Sequence, residues 1–440
     1  MVPVRGFADR RVAVLGLKGS GLAAARALIA GGAHVSVWDE DAVRRLNAQA
    51  CGLTVEDPTE RDWGDLAAFI IEDAQLINAE EPPRLIELAR AVGAPLLAAR
   101  CVLAEAAARD PGVKLALITG RHGQAAADLA VHLLDAAGVS AQDLLACGQL
   151  RAGGWVVAAL SGDELFCLPE RVETDAFAAL SPGVCARAGQ ATLQETFERL
   201  ADGAGHALIA TAEARPCARL IANRRGPHTA AISGRQVLGG GVYVSGGAVF
   251  DALGPRAVKA GFVAPFAPGE AIAAGYALAR RLGVSAEAAS RALSYWPGAP
   301  GFGRRVVQFG PVSLVDWSAA HTPAAALDAV CSAAPSVWLA GPALDAYAGD
   351  LLAEAGGAVR AVHLVTDRGR AARALSKSAA CAVHRTLAAA IAHAAHDALK
   401  PGAGGCTLVY APGSVSGESS QDFEAAAKSL LSRAIKGDAA

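Results

Sequence analysis

Twice in this chain a short aliphatic run ends in a glycine-rich turn and continues into a stretch of helical period, and that unit leaves few folds open. Arg11-Val12-Ala13-Val14-Leu15 leads into Gly16-Leu17-Lys18-Gly19-Ser20-Gly21 and an apolar segment over 22–30. Residues 115–119 lead into Gly120-Arg121-His122-Gly123-Gln124-Ala125 and a helical pattern through Leu134. A strand buried on both faces reads as an unbroken apolar run, and parallel strands need a helical crossover between them. The alternation therefore predicts an α/β fold built on parallel sheets. Further strands are expected at 34–38, 155–160, 207–211, 313–316, 337–340, 361–366 and 407–410, and a further helix over 422–434. Glycine-punctuated runs between 236 and 266 predict a hairpin on the flank of the middle domain.

At 440 residues the chain exceeds one ordinary core, and about 150 residues per domain predicts three. Asp110-Pro111-Gly112 and Trp296-Pro297-Gly298-Ala299-Pro300-Gly301 are stiff and turn-forming. Domains are expected over 1–111, 112–299 and 300–440. Lys and Arg number 40 against 42 Asp and Glu, which argues against a nucleic-acid partner. No apolar run approaches the roughly 20 residues of a membrane span. Residues 1–10 run into the first strand without a leader-like apolar stretch, so a cytoplasmic location is expected. The nine cysteines stand singly. His393 and His396 lie three apart on a helical segment with no further ligand nearby in sequence, so no histidine metal site is expected.

In the first turn, Gly16 and Gly21 would let backbone N–H groups approach a diphosphate at a helix N-terminus. Ser20 lies within that turn, and Asp39, beyond the second strand, would meet a ribose or base edge. The pattern suits a dinucleotide or a UDP-sugar. The second turn, Gly120 to Ala125, has the geometry of a phosphate loop. A working loop adds a lysine for the β- and γ-phosphates and a hydroxyl for Mg²⁺, and those positions read Gln124 and Ala125.

Taken in order, these segments resemble the Mur ligase family from end to end. Within it they are most similar to the ligases that add D-glutamate to UDP-N-acetylmuramoyl-L-alanine. GLKGSGLAAARAL followed by VSVWDED resembles the family's opening, with Ser20 and Asp39 where those ligases contact UDP. LALITGRHGQAAADL follows the family's strand, Gly-Thr-Asn-Gly-Lys-Ser/Thr-Thr loop and helix. Residues 180–189 keep the Ser-Pro, Arg and Gly frame of a family segment whose Asp and His are absent, and no His-Asn pair is recognisable near 266–271. Arg305, Asp316, Ser318 and His321 match the start of the third domain, where Ala319 replaces a lysine; Ser416 and Phe423 match residues that hold the amino acid. Ala159 and Glu198 stand at the family's metal-associated Glu and Lys positions. The resemblance implies a Rossmann-like UDP-binding domain, a central P-loop-like ATPase domain and a C-terminal Rossmann-like domain.

Because replacements concentrate at phosphate and magnesium positions, the first expectation is a non-catalytic relative that binds or scaffolds in peptidoglycan precursor synthesis. On that reading no cofactor is expected, and the partners are UDP-N-acetylmuramoyl-L-alanine or a related UDP-sugar together with cell-wall synthesis proteins. The alternative is an active ATP- and Mg²⁺-dependent amide ligase with a rewired nucleotide site. In it Arg121, His122 or Arg151 replaces the lysine charge, and Glu198 and Asp163 rebuild a metal site. A third reading, an NAD-dependent oxidoreductase, needs catalytic residues in a second domain that the sequence does not display.

Overall fold

A computed structural model describes residues 2–60, 63–78, 82–144, 153–182, 190–224, 226–263, 266–333, 335–341, 357–365, 380–398, 406–413 and 419–435. Three sheets follow one another along the chain. The first comprises β1 (Arg11–Leu15), β2 (His34–Trp38), β3 (Thr54–Val55), β4 (Leu66–Ile71) and β5 (Leu96–Ala98), all parallel in the order β3-β2-β1-β4-β5. The order reverses between β1 and β4, and such switch points open a crevice at the carboxyl ends of the strands.

The second sheet holds β6 (Val113–Thr119), β7 (Ala141–Asp143), β8 (Gly154–Leu160), β9 (Ala176–Ala179), β10 (Ala207–Thr211), β11 (Thr229–Ser233), β12 (Gly241–Ser245), β13 (Ala248–Ala252) and β14 (Val258–Phe262). Its order is β14-β13-β12-β11-β10-β9-β6-β8-β7. The glycine-punctuated segment forms the expected hairpin, with β12, β13 and β14 pairing antiparallel and extending an otherwise parallel sheet. Strands β6, β8 and β9 are buried along most of their length, which is why they read as apolar runs without alternation.

These two sheets belong to one compact unit, residues 1–262 and 269–295. One hydrophobic cluster runs from the first sheet to one face of the second, and helix Ala99–Arg109 contributes to it through Cys101, Val102, Leu103, Ala106 and Ala107. Each fully buried Leu or Phe there, such as Leu103 or Phe177, stabilises by about 1.5–3 kcal/mol. Arg100 of that helix donates to the Ala159 carbonyl at 3.3 Å and pairs with Glu164 at 3.5 Å, which fastens the end of β8.

A second compact unit, residues 263–268 and 296–440, carries the third sheet. It contains β15 (Arg304–Phe309), β16 (Val312–Asp316), β17 (Ser336–Ala340), β18 (Val359–Val365), β19 (Ala380–His384) and β20 (Cys406–Tyr410). The order is β15-β16-β20-β17-β18-β19, parallel except for the β15–β16 pair. Alternate residues serve opposite faces, as a strand's period of two requires. Trp338, Leu364 and Val409 pack with helix Pro323–Ser332, while Leu339, Leu408 and Tyr410 pack with helices Leu387–Ala398 and Ser420–Ile435. Among the described residues no helix is long and apolar enough to cross a membrane.

Candidate functional site

The first glycine turn lies at the carboxyl end of β1, and its backbone is held from two sides. Asp39, only 5% exposed, accepts from the Leu17 N–H at 2.8 Å and the Asp41 N–H at 2.9 Å, and pairs with Arg44 at 3.5 Å. Its carboxylate thus shapes the turn from within. Gly21 opens helix Ser20–Ala30 against the turn, and a Cβ there would stand 1.9 Å from the Gly16 carbonyl oxygen. Only glycine fits that approach.

Glu72, immediately after β4, reaches into the mouth of the same turn. Its carboxylate accepts from the N–H groups of Lys18 at 2.7 Å, Gly19 at 2.6 Å and Gly21 at 3.2 Å, and lies 3.5 Å from the Ser20 hydroxyl. These donors sit at a helix N-terminus, where the helix dipole also favours an anion. A carboxylate of the chain itself therefore fills the cradle that a ligand phosphate would use. Sequence reasoning missed Glu72, whose only signal was its place at the end of the strand beside β1.

At the second turn, Gly120 has φ of +107°, and a Cβ there would meet the Leu180 carbonyl oxygen at 2.7 Å. The Arg121 N–H donates to the Ser181 carbonyl at 2.8 Å, and Glu270 accepts from the Ser181 N–H at 2.8 Å and hydroxyl at 2.9 Å. Glu270 lies where no family-like His-Asn pair was found, and it braces the phosphate loop through Ser181. Residue 122 adopts φ of +59° at the N-cap of helix Gly123–Ala136, a left-handed conformation that asparagine tolerates best among non-glycine residues. The resemblance places asparagine there, so the backbone shape explains that residue.

Gln124 donates its amide to Asp143 at 2.6 Å and carries no charge toward the loop mouth. Ala125 is fully buried and Ala159 is 5% exposed. Glu198 pairs with Arg224 at 2.6 Å and accepts from Gln194 at 2.7 Å, while Asp163 is buried in the first turn of helix Gly162–Cys167. The loop runs into the first turn of helix Gly123–Ala136, the kind of place where backbone N–H groups meet an anion, while the Arg121 and Gly123 N–H groups are held by the Ser181 and Gly120 carbonyls. Magnesium does not fit at 125 and 159, which offer no oxygen ligand. The expected rebuilding of a metal site from Glu198 and Asp163 is also corrected, because Glu198 is committed to an ion pair and Asp163 is sequestered.

His122 is corrected as a replacement for the lysine charge. Burial and then the adjacent Arg121 push its imidazole down to about 4, so it is neutral near pH 7. In the unfolded chain it titrates near 6.5. Between those values only the unfolded state takes the proton, so stability is full above about 6.5 and falls as the pH drops toward 4. The loss is on the order of 3 kcal/mol. His122→Asn should remove this part of the acid sensitivity while leaving stability at pH 7.5 nearly unchanged. Urea unfolding of both proteins at pH 7.5 and 4.5 checks it; parallel losses in the two would refute the assignment. The nearby Cys217 thiol, raised to about 12 by burial and by Glu270, is no nucleophile.

In the second unit Asp316 is fully buried and accepts from the Gly301 N–H at 2.9 Å, the Ser318 N–H at 3.0 Å and the Ser420 hydroxyl. It ties together the turn before β15, the segment after β16 and the start of helix Ser420–Ile435. Arg305 and His321 are exposed, and Ser318 is 7% exposed. Phe423 was expected to hold the amino acid, and this is corrected. It is fully buried and stacks on Tyr410 with ring centroids 5.1 Å apart, so it supports the sheet instead of touching a ligand. Ser416, Arg151 and Arg187 lie outside the described residues.

No family model matches the sequence. Among curated proteins, the UDP-N-acetylmuramoylalanine--D-glutamate ligase of Caulobacter vibrioides (strain NA1000 / CB15N) is 32% identical, over 97% of this chain and 95% of that protein. Its namesake from Phenylobacterium zucineum (strain HLK1) is 31% identical over 96% of each. Among solved structures, the UDP-N-acetylmuramate-alanine ligase of Thermotoga maritima has the same fold. It matches with a TM-score of 0.63 over 97% of this chain and 99% of that one, at 14% identity. These relatives overturn the expectation of a non-catalytic scaffold, since proteins similar along nearly their whole length carry the name of a ligase. That expectation weighed the replacements at 124, 125, 159, 198 and 319, none of which removes the helix N-terminus at Gly123. A chain that shares this fold, and about a third of its residues with such enzymes, belongs to the UDP-N-acetylmuramoylalanine--D-glutamate ligase family of Mur ligases.

Proposed function

We propose that this protein is an active amide ligase that joins D-glutamate to UDP-N-acetylmuramoyl-L-alanine, coupled to phosphate release from ATP. The observation that carries the reading is the similarity, over 95% of its length, to a relative bearing that name. On this reading segment 1–111 receives the UDP moiety at Gly16, Ser20 and Gly21, with Asp39 holding the turn. Segment 112–299 receives the nucleotide phosphates at Gly120 to Gly123, and segment 300–440, with Arg305, Ser318 and His321, serves the amino acid. Arg121 supplies the positive charge that lysine gives in the family loop. Arginine is permanently charged and binds phosphate through a planar fork of donors. Any magnesium would arrive bound to the nucleotide phosphates, since Ala125 and Ala159 offer it no ligand.

The test is phosphate release by the full chain with UDP-N-acetylmuramoyl-L-alanine, D-glutamate, ATP and Mg²⁺. Release that depends on both acceptor substrates supports the reading. Release no faster than with ATP alone refutes it.

A further inference from the structure

Three of the ten histidines converge at the edge of the third sheet. His363 lies on β18 and His384 ends the neighbouring β19, in a register that pairs His363 with Ala382 and Val365 with His384. Both histidines therefore point to the same face, offset diagonally. Helix Leu387–Ala398 follows β19 and packs back over that face, bringing His393 down onto the pair. The three ring centroids stand 5.2, 5.5 and 5.3 Å apart, nearly an equilateral triangle. One nitrogen from each ring lies within 4.8 Å of the others, and His363 Nδ1 is 3.0 Å from His384 Nε2.

We infer that His363, His384 and His393 form a binding site for a divalent transition-metal ion of the zinc class. Neutral imidazole is the commonest metal ligand in proteins. Zinc takes it at about 2.0–2.1 Å in tetrahedral geometry, which places ligand nitrogens about 3.3 Å apart. The His363–His384 separation already meets that spacing. His393 is exposed on its helix, so a rotamer change closes the remaining gap and leaves the fourth position open to solvent. His363 is 3% exposed and provides the fixed side of the site. The expectation of no histidine site considered only His396 as a companion for His393, but the companions come from two strands. Bound metal joins the edge strand β19 to the helix that covers it. Magnesium, which prefers oxygen ligands, does not compete for three imidazoles.

The test uses untagged full-length protein stripped of metal with a chelator and titrated with Co²⁺, then with Zn²⁺ in competition. One Co²⁺ per chain with the intense visible bands of a tetrahedral nitrogen site is expected, displaced by an equivalent of Zn²⁺. Zn²⁺ should also raise the melting temperature, because an ion that binds only the folded chain stabilises it. His393→Ala removes an exposed ligand and spares the buried one, so it should fold normally; it should weaken Co²⁺ affinity about 100-fold, while His396→Ala should leave it unchanged. Absence of the visible bands overturns the site, as does equal Co²⁺ affinity in His393→Ala and the parent protein.

Discussion

Arg121→Ala is expected to lower substrate-dependent phosphate release by about 10²–10³-fold, the loss that follows removal of one preorganised contact to developing charge. Gln124 is uncharged and committed to Asp143, and His122 is neutral near pH 7. Arg121 is exposed, and its backbone N–H is fixed on Ser181. It is therefore the one cationic side chain from Gly120 to Ala125. Because the side chain is exposed, Arg121→Ala should leave the melting temperature within about a degree of the parent, so a rate loss reads as chemistry and not as unfolding. Arg121→Lys keeps the charge without the planar fork and should fall between the two. Full activity in Arg121→Ala would move the compensating charge elsewhere and refute its assignment to this loop position.

Glu72→Gln is expected to tighten binding of UDP-N-acetylmuramoyl-L-alanine about 10- to 100-fold. The Glu72 carboxylate holds the Lys18, Gly19 and Gly21 N–H groups, which a diphosphate at the carboxyl end of β1 would also need. Two anions cannot share those donors, so the ligand must displace the carboxylate and meet its charge nearby. Hydrogen bonds to a charged group contribute about 1.5–3 kcal/mol each, and every 1.4 kcal/mol of competition is tenfold in affinity. Glutamine keeps the shape, loses the charge and accepts more weakly. The free protein should lose about 1–2 kcal/mol of stability in the exchange. Calorimetric titration of both proteins at one salt concentration measures the difference. Weaker binding by Glu72→Gln would mean that Glu72 contacts the substrate directly, contrary to its role as a competitor for the cradle.

Strands β1, β2, β6, β8, β10, β16, β17, β18 and β20 were legible because each is an apolar run bounded by turn residues, whereas short or polar ones such as β3 and β7 were not, and the two glycine turns were legible because their backbone shape demands glycine at fixed places. Residues 22–30 and the stretch after the second turn through Leu134 read as helices from their apolar period. What the sequence did not display depends on neighbours that only folding creates. Glu72 lies more than fifty positions from the N–H groups it caps, and an acid after a strand carries no signal of its own. Asp143 and Gln124 look unrelated until β7 is laid beside β8. His393 acquires its companions through the pairing of β18 with β19. Phe423 matched a ligand contact by position in a motif, yet the stack on Tyr410 consumes its face. The functional expectation failed in a related way. It counted side chains replaced at 124, 125, 159, 198 and 319, and the helix N-terminus at Gly123 depends on none of them.

Amide-bond formation by this chain is read most directly by transfer of label. The full-length protein is incubated with UDP-N-acetylmuramoyl-L-alanine, radiolabelled D-glutamate, ATP and Mg²⁺, and the UDP-linked product is separated from free amino acid. Label is expected in that product in amounts exceeding the protein present, absent when ATP or the UDP substrate is omitted and sharply reduced in Arg121→Ala. No labelled product after long incubation, with protein at substrate concentration and the fold intact by circular dichroism, would contradict it.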